Sequence, residues 1–359
     1  MGKGNYSVGD LQAEQLIAEL VKFCANPEVE DLLREMLTTV VKMGREHDDR
    51  GDIKLTNTTL KELRHSFRVF AKYRDRRKVV VFGSARTAPA DPCYKMAEDL
   101  ARSLAANGFM IITGAGPGIM AAANRGAGAE NSFGINIKLP MEQAANSFIA
   151  GDSKLMHFKY FFTRKLILLK ESHATVLFPG GFGTQDEGFE NLTLFQTGKS
   201  MPRPILLVEP AQGTYWQRWK EYLENELLAK EYISPMDLSL FKIVHNVEEA
   251  VATIKDYYRV FHSLRYVGDT TVLRFHYDIP DALLAQLNEE YADILEAGRI
   301  KKSPPLAAEI QNNEFTDLPR LILNFNKQDY GKLNEMIIKI NQTLKPSPSP
   351  AVYNKSYEN

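Results

Sequence analysis

From Lys78 onward the chain alternates short apolar, β-branched runs with helical stretches, and glycine follows the runs closely. KVVVFG (78–83) precedes DPCYKMAEDLARSLAANG, and FMIITG (109–114) precedes PGIMAAANRGAGA. SFGINIKLP (132–140), a long helical segment, TVLFPGG (175–181), another helix, PILLVEP (204–210) and further helices through Phe261 continue the pattern. Runs this short and apolar need cover on both faces, which predicts a parallel sheet between helical layers. Right-handed crossovers put the C-terminal ends of all such strands on one edge, where open α/β sheets bind ligands. The glycine turns fall on that edge.

The fold class expected is therefore α/β: a Rossmann-like parallel sheet with helices on both faces over 78–262. A helical N-terminal region (1–77) precedes it, with apolar residues at three- and four-residue spacing in LQAEQLIAELVKF and VEDLLREMLTTVVKM. HDDRGDIKLTNTT breaks that pattern before LKELRHSFRVFAKYRDRRK resumes it. The basic run Arg74 to Lys78 reads as the solvated C-terminus of a helix. A small α/β appendage (263–345) follows the sheet. TTVLRFHY and RLILNF are expected as strands, ALLAQLNEEYADILEAG and YGKLNEMIIKINQTL as helices. Residues 346–359 have the composition of a disordered tail.

The formal net charge of -1 from 44 basic and 45 acidic residues gives no electrostatic case for nucleic acid or an anionic membrane. The two cysteines, Cys24 and Cys93, lack the close Cys or His neighbour of a metal knuckle and read as reduced thiols. Neither a signal peptide nor a transmembrane run is legible, so a cytoplasmic protein is expected.

Three turns carry the candidate chemistry: FGSAR with Gly83 and Ser84, TGAGPGIM with Gly114, Gly116 and Gly118, and PGGFGT with Gly180, Gly181, Gly183 and Thr184. Glycine removes the side chain, so amides can close on an anion at the positive end of the next helix; Thr184 adds a hydroxyl at the expected N-cap. The spacing G-x-G-x-G at 114–118 is not the dinucleotide fingerprint, and the following strand does not end in a ribose-binding acid. TGKS at 197–200 lacks the first glycine of a Walker loop, since Thr193 stands there. A mononucleotide or sugar phosphate remains. Glu187, three residues after Thr184, fits either a capping box or a carboxylate facing the ligand's sugar. Arg164 and Lys165 sit early in a helix, against its dipole, and call for an anionic partner: a ligand, or Glu187.

These residues resemble the Lonely Guy (LOG) family. Its signature P-G-G-x-G-T-x-x-E is met by Pro179, Gly180, Gly181, Gly183, Thr184 and Glu187, and its Arg-Lys pair by Arg164 and Lys165. The resemblance covers about 78–261. It implies a nucleoside 5′-monophosphate phosphoribohydrolase that releases free base and ribose 5-phosphate, acting on AMP, related purine or pyrimidine monophosphates, or cytokinin ribotides. It implies Arg164 and Glu187 as the catalytic pair. Gly83, Ser84, Gly114, Gly116, Gly118, Glu142, Lys165, Gly180, Gly181, Gly183 and Thr184 would contact substrate. It implies no metal and no organic cofactor, and a homodimer or higher homo-oligomer. The second reading is a LOG-fold nucleotide sensor.

The chain departs from the plant-type pattern in three ways. Phe161–Phe162 replaces a Met-His pair, with Met156–His157 out of register; Ala115 interrupts the second glycine turn; and the flanking regions are additional. The "lysine decarboxylase-like" label attached to such proteins has no Schiff-base lysine to support it here.

Overall fold

The computed structural model describes residues 6–24, 26–46, 49–138 and 144–344. It divides into two compact units, 1–65 and 66–359. In the first, α1 (Leu11–Lys22) packs on α2 (Glu30–Glu46). Asp10 caps α1 through the amides of Gln12 and Ala13, and Arg45 from the end of α2 reaches the same carboxylate at 3.0 Å. The expected break over 47–59 is narrower than read: α2 ends at Glu46, and α3 already runs from Arg50 to Phe70. Its threonines Thr56 and Thr58 turn their hydroxyls onto the Asp52 and Lys54 carbonyls one turn back, which satisfies them without interrupting the helix.

The second unit is built on seven parallel strands: β1 (Lys78–Phe82), β2 (Met110–Thr113), β3 (Ser132–Ile137), β4 (Leu155–Phe158), β5 (Ala174–Leu177), β6 (Ile205–Val208) and β7 (Lys242–Val244). Their order is β4-β3-β2-β1-β5-β6-β7, so the sheet reverses direction between β1 and β5. The helices are α4 (Pro92–Ala106), α5 (Ile119–Ala127), α6 (Phe161–Lys170), α7 (Phe182–Gln196), α8 (Tyr215–Tyr222) and α9 (Val247–Val260). Because crossovers are right-handed and the sheet grows in opposite directions from β1 and β5, α4 and α5 cover one face and α7 the other. Val79, Val81, Leu100, Leu104, Ile111, Val176, Leu206 and Ile254 form the core of the first face. α4 and α5 approach closely at Gly126, where a Cβ would come within 2.0 Å of the Glu98 carbonyl oxygen.

The sequence reading missed β4, placed here inside what was expected as a long helical segment. A four-residue strand at the sheet edge, with His157 exposed, carries too little periodicity to be seen. Of the basic run Arg74 to Lys78, Arg74 is an exposed helix end, whereas the other three cations are engaged. Arg76 bonds the Gly108 carbonyl and Asn131, Arg77 lies 3.8 Å over the Tyr258 ring, and buried Lys78 donates to the carbonyls of Tyr73 and Arg76. These cations tie the entry of the sheet to the elements beside it.

A second, four-stranded antiparallel sheet follows, in the order β10-β11-β9-β8. Its strands are β8 (Phe261–Val267), β9 (Thr270–Phe275), β10 (Leu295–Lys302) and β11 (Arg320–Phe325), with α10 (Asp281–Glu290), α11 (Ala307–Gln311) and α12 (Tyr330–Thr343). Two strands exceed the sequence reading. β8 begins where α9 stops, the turnover held by Asn341, whose Oδ1 accepts the amides of Val260 and Phe261. The stretch read as one helix to residue 298 ends at Glu290, and its remainder becomes β10. The expected tail, 346–359, lies outside the described residues. Among the described residues, no helix is long and apolar enough to cross a membrane.

Candidate functional site

The cleft at the reversal of the sheet has a volume of about 730 Å³ and is walled by the turns after β1 and β5, the start of α7, and Met120, Phe161, Arg164 and Glu187. Three glycine turns meet here because no Cβ separates them. Ser84 donates its amide to the Pro179 carbonyl at 3.2 Å, and its own carbonyl accepts the Ile119 amide at 3.1 Å. A Cβ on Gly118 would lie 2.2 Å from the Ser84 carbonyl oxygen, and one on Gly180 would lie 2.1 Å from Thr184 Oγ1. Gly118 also needs its positive φ of 66°. The glycines thus divide into two kinds. Gly83, Gly118 and Gly180 allow the turns to pack, whereas a Cβ on Gly181 or Gly183 would meet nothing within 4 Å.

The helix opened by PGGFGT starts one turn earlier than expected. Gly181 is the N-cap of α7 and Thr184 its third residue, so Glu187 lies in the second turn and the Thr184–Glu187 capping box does not form. The amides of Phe182 and Gly183 therefore lie in the first turn, where no intrahelical acceptor exists. They make no hydrogen bond to other described residues.

Glu187 is 4% exposed, its Oε2 has no hydrogen-bond partner, and its Oε1 stands 3.8 Å from Arg164 Nη1. Burial drives its pKa up from 4.5 to about 7, against the opposing pull of Arg164 and Lys165. Arg164 is itself aimed by the Ile135 carbonyl, which accepts its Nε at 2.9 Å. Its guanidinium fills the space where Gly114 would carry a side chain. Burial lowers the Arg164 pKa, with Glu187 and Asp186 opposing.

Lys165 goes elsewhere. Its ammonium pairs with Asp186 at 2.8 Å and with Glu190, both on α7, and is not part of the cleft wall. So the two cations that oppose the α6 dipole are met by acids of α7: Lys165 by two surface carboxylates, Arg164 by Glu187. Gly114 and Gly116 stand behind Met120, whose side chain faces the cleft in their place. Glu142 lies outside the described residues. Sequence reasoning missed three participants. Phe161, half-exposed on the cleft wall, was read as a departure from a motif. Arg86 and Gln185 also line the cleft, and only their nearness to the glycine turns could have signalled them. Thr197–Ser200 proves to be a helix end, where Gly198 takes φ 67° beneath Tyr330.

A family described as "possible lysine decarboxylase" matches residues 120–254. A cytokinin riboside 5′-monophosphate phosphoribohydrolase of Mycobacterium tuberculosis is 27% identical over 182 residues, 48% of this chain and 90% of that one. Among solved structures, a molybdenum cofactor binding protein of Rippkaea orientalis is 20% identical, covering 50% of this chain and 96% of that one, with a TM-score of 0.36. A molybdenum cofactor carrier protein of Chlamydomonas reinhardtii is 21% identical with the same coverage and TM-score. The P-G-G-x-G-T-x-x-E turn, the Arg-Lys pair, the family match over 120–254 and the Mycobacterium tuberculosis relative together support placing the central domain of this chain with the LOG family.

Proposed function

We propose that the cleft hydrolyses the N-glycosidic bond of nucleoside 5′-monophosphates to free base and ribose 5-phosphate. The observation that carries this reading is Glu187: a buried carboxylate with one oxygen unpartnered, on the wall of a cleft that also offers free amides. A structural glutamate this deep would have both oxygens satisfied.

In this reading the first-turn amides of α7, with Ser84 and Thr184, take the phosphate monoester and set C1′ beside Glu187. As the bond to the base breaks, its electron pair leaves with the base nitrogen, and the positive charge left on C1′ and the ring oxygen faces the carboxylate. Water adds to C1′ and gives up a proton, while the base nitrogen gains one. A carboxylate with a pKa of about 7 is matched to accept that proton at neutral pH. Arg164 keeps Glu187 oriented and its charge balanced. Phe161 offers an exposed ring for the base to stack on.

Lysine chemistry has less support. Lys165 is ion-paired, and its pKa is raised. The buried Lys78, lowered to about 8, sits at the opposite end of β1 with its ammonium bonded to two carbonyls.

The test is a panel of AMP, GMP, CMP, UMP and a cytokinin ribotide, with free base and ribose 5-phosphate both assayed. Glu187→Gln and Arg164→Ala are each expected to lower kcat/KM about 100-fold or more. Undiminished hydrolysis by Glu187→Gln refutes the role given to the carboxylate. Inert wild-type protein that still binds AMP moves the reading to a nucleotide sensor.

A further inference from the structure

β6 ends at Val208, and the next residue, Glu209, is fully buried. Its Oε2 accepts the Tyr215 amide at 2.9 Å and its Oε1 the Trp216 amide at 3.3 Å, the first two amides of α8. Gly213 lets the intervening loop close, since a Cβ there would stand 2.6 Å from Glu209 Oε2. This carboxylate fixes where α8 begins and so where Tyr215 projects. The Tyr215 ring packs edge-on against Trp216, with 4.8 Å between centroids. Its hydroxyl donates to the Gly180 carbonyl at 2.6 Å and accepts from Gln185 Nε2 at 2.5 Å. Tyr215 thus grips the glycine turn from behind at two points, one before α7 and one in its first turn, without joining the cleft wall.

The peptide between Gly180 and Gly181 needs such a grip. With a glycine on each side, no Cβ resists its rotation, and the two orientations differ little in intrinsic energy. A trans peptide points its carbonyl and its amide in opposite directions. One orientation therefore turns the Gly181 amide, which has no acceptor among the described residues, away from Tyr215. The flipped orientation would turn a carbonyl dipole there instead, and that repels an anion.

We propose that Tyr215 is a positioning residue that locks the Gly180–Gly181 peptide with its amide toward the phosphate subsite. This rests on the reading of the cleft as a phosphate site, and it extends the functional apparatus to α8, outside the glycine motif. The lock acts on affinity for the phosphate group and far less on the stability of the fold, because Tyr215→Phe keeps the ring and its packing.

The experiment is calorimetric titration of wild type, Tyr215→Phe and Gln185→Met with inorganic phosphate, alongside thermal melts and AMP hydrolysis. Tyr215→Phe is expected to weaken phosphate binding about tenfold, the loss of one well-placed hydrogen bond. Its KM for AMP should rise by a similar factor while kcat changes less, with the melting temperature nearly unchanged. Gln185→Met, which keeps the bond from Tyr215 to Gly180, is expected to weaken phosphate about two- to threefold. Unchanged phosphate affinity in Tyr215→Phe overturns the proposal, as does a wild-type protein that binds no phosphate. Phosphate binding that weakens as expected, in a protein releasing no base from any nucleotide, upholds the lock and defeats the hydrolase reading instead.

Discussion

Two buried glutamates in this molecule have been given opposite surroundings. Glu309, at the start of α11 in the second sheet's region, is wholly buried and saturated. Its Oε1 accepts Arg274 Nε at 2.8 Å, and its Oε2 accepts the Leu306 amide at 2.9 Å and forms an ion pair with Arg320 Nη1 at 2.7 Å. Burial pushes its pKa up, but the Leu306 amide, Arg274 and Arg320 outweigh burial and hold it below 4.5. Glu187 is buried almost as deeply, yet meets its arginine only at 3.8 Å and leaves an oxygen bare, so burial wins and the pKa rises to about 7. Both side chains are shut off from solvent; Glu309 has donors enough to outweigh the cost of burial, and Glu187 does not. A charge that is satisfied serves the fold. One left short of partners is available for a ligand, which is the physical basis for separating the two roles.

The largest expected effect breaks the saturated site. Glu309→Gln leaves Arg320 buried without its counter-charge and Arg274 with Glu314 alone, and urea unfolding at pH 7.5 should show a loss of about 3–5 kcal/mol. The sign with pH follows from the lowered pKa. Glu309 contributes stability above its ordinary pKa of 4.5 and loses it as pH falls through the lower folded value. A loss under about 1 kcal/mol would mean that the network is no more than a surface ion pair in its energetics, and the contrast would fail.

Glu187 should behave in the opposite sense. With its folded pKa raised, its contribution is fully present below pH 4.5 and is lost as pH rises through about 7. The difference corresponds to on the order of 3 kcal/mol at pH 8. Glu187→Gln, which cannot ionise, is expected to be more stable than wild type at pH 8 by up to that amount and indistinguishable from it near pH 4. Denaturant melts across that range measure both ends. A variant that is less stable at pH 8 would show that Arg164 satisfies the carboxylate after all.

The parts of the molecule legible in the sequence are those governed by local patterning. The apolar runs at 78–82, 110–113, 174–177 and 205–208 are strands because both of their faces are buried, and continuous apolar text reports that directly. The glycine turns were legible for a similar reason, since no other residue permits their close packing. What was not legible depends on partners distant in the chain. β10 has only one fully buried residue, Ile300, and is a strand because β11 pairs with it. Thr184 looks like an N-cap until the backbone shows Gly181 in that place. Lys165 reads as a ligand contact beside Arg164, and its capture by Asp186 and Glu190 required knowing how α6 lies against α7. The grip of Tyr215 on Gly180 spans 35 residues and leaves no local trace.

The smallest expected effect separates the Glu187 charge from its surroundings. Lys165 does not touch Glu187, but its positive charge is second only to that of Arg164 in holding the Glu187 pKa down, while Glu190 and Asp186 push it up. Lys165→Met removes that pull and leaves the two surface acids uncompensated, so ionising Glu187 becomes harder and its pKa moves further upward. The free-enzyme titration should appear as a rising limb in kcat/KM centred near pH 7 in wild type, displaced to higher pH in Lys165→Met and absent in Glu187→Gln. Added salt should shrink the displacement in the variant, because the exposed part of the Lys165–Asp186 pair is screened while the buried Glu187–Arg164 contact is not. A limb that stays at the wild-type position in Lys165→Met would leave burial and Arg164 as sufficient causes of the shift. A limb displaced downward would contradict the electrostatic account of the site, because no rearrangement of the remaining acids around Glu187 makes its negative charge easier to form.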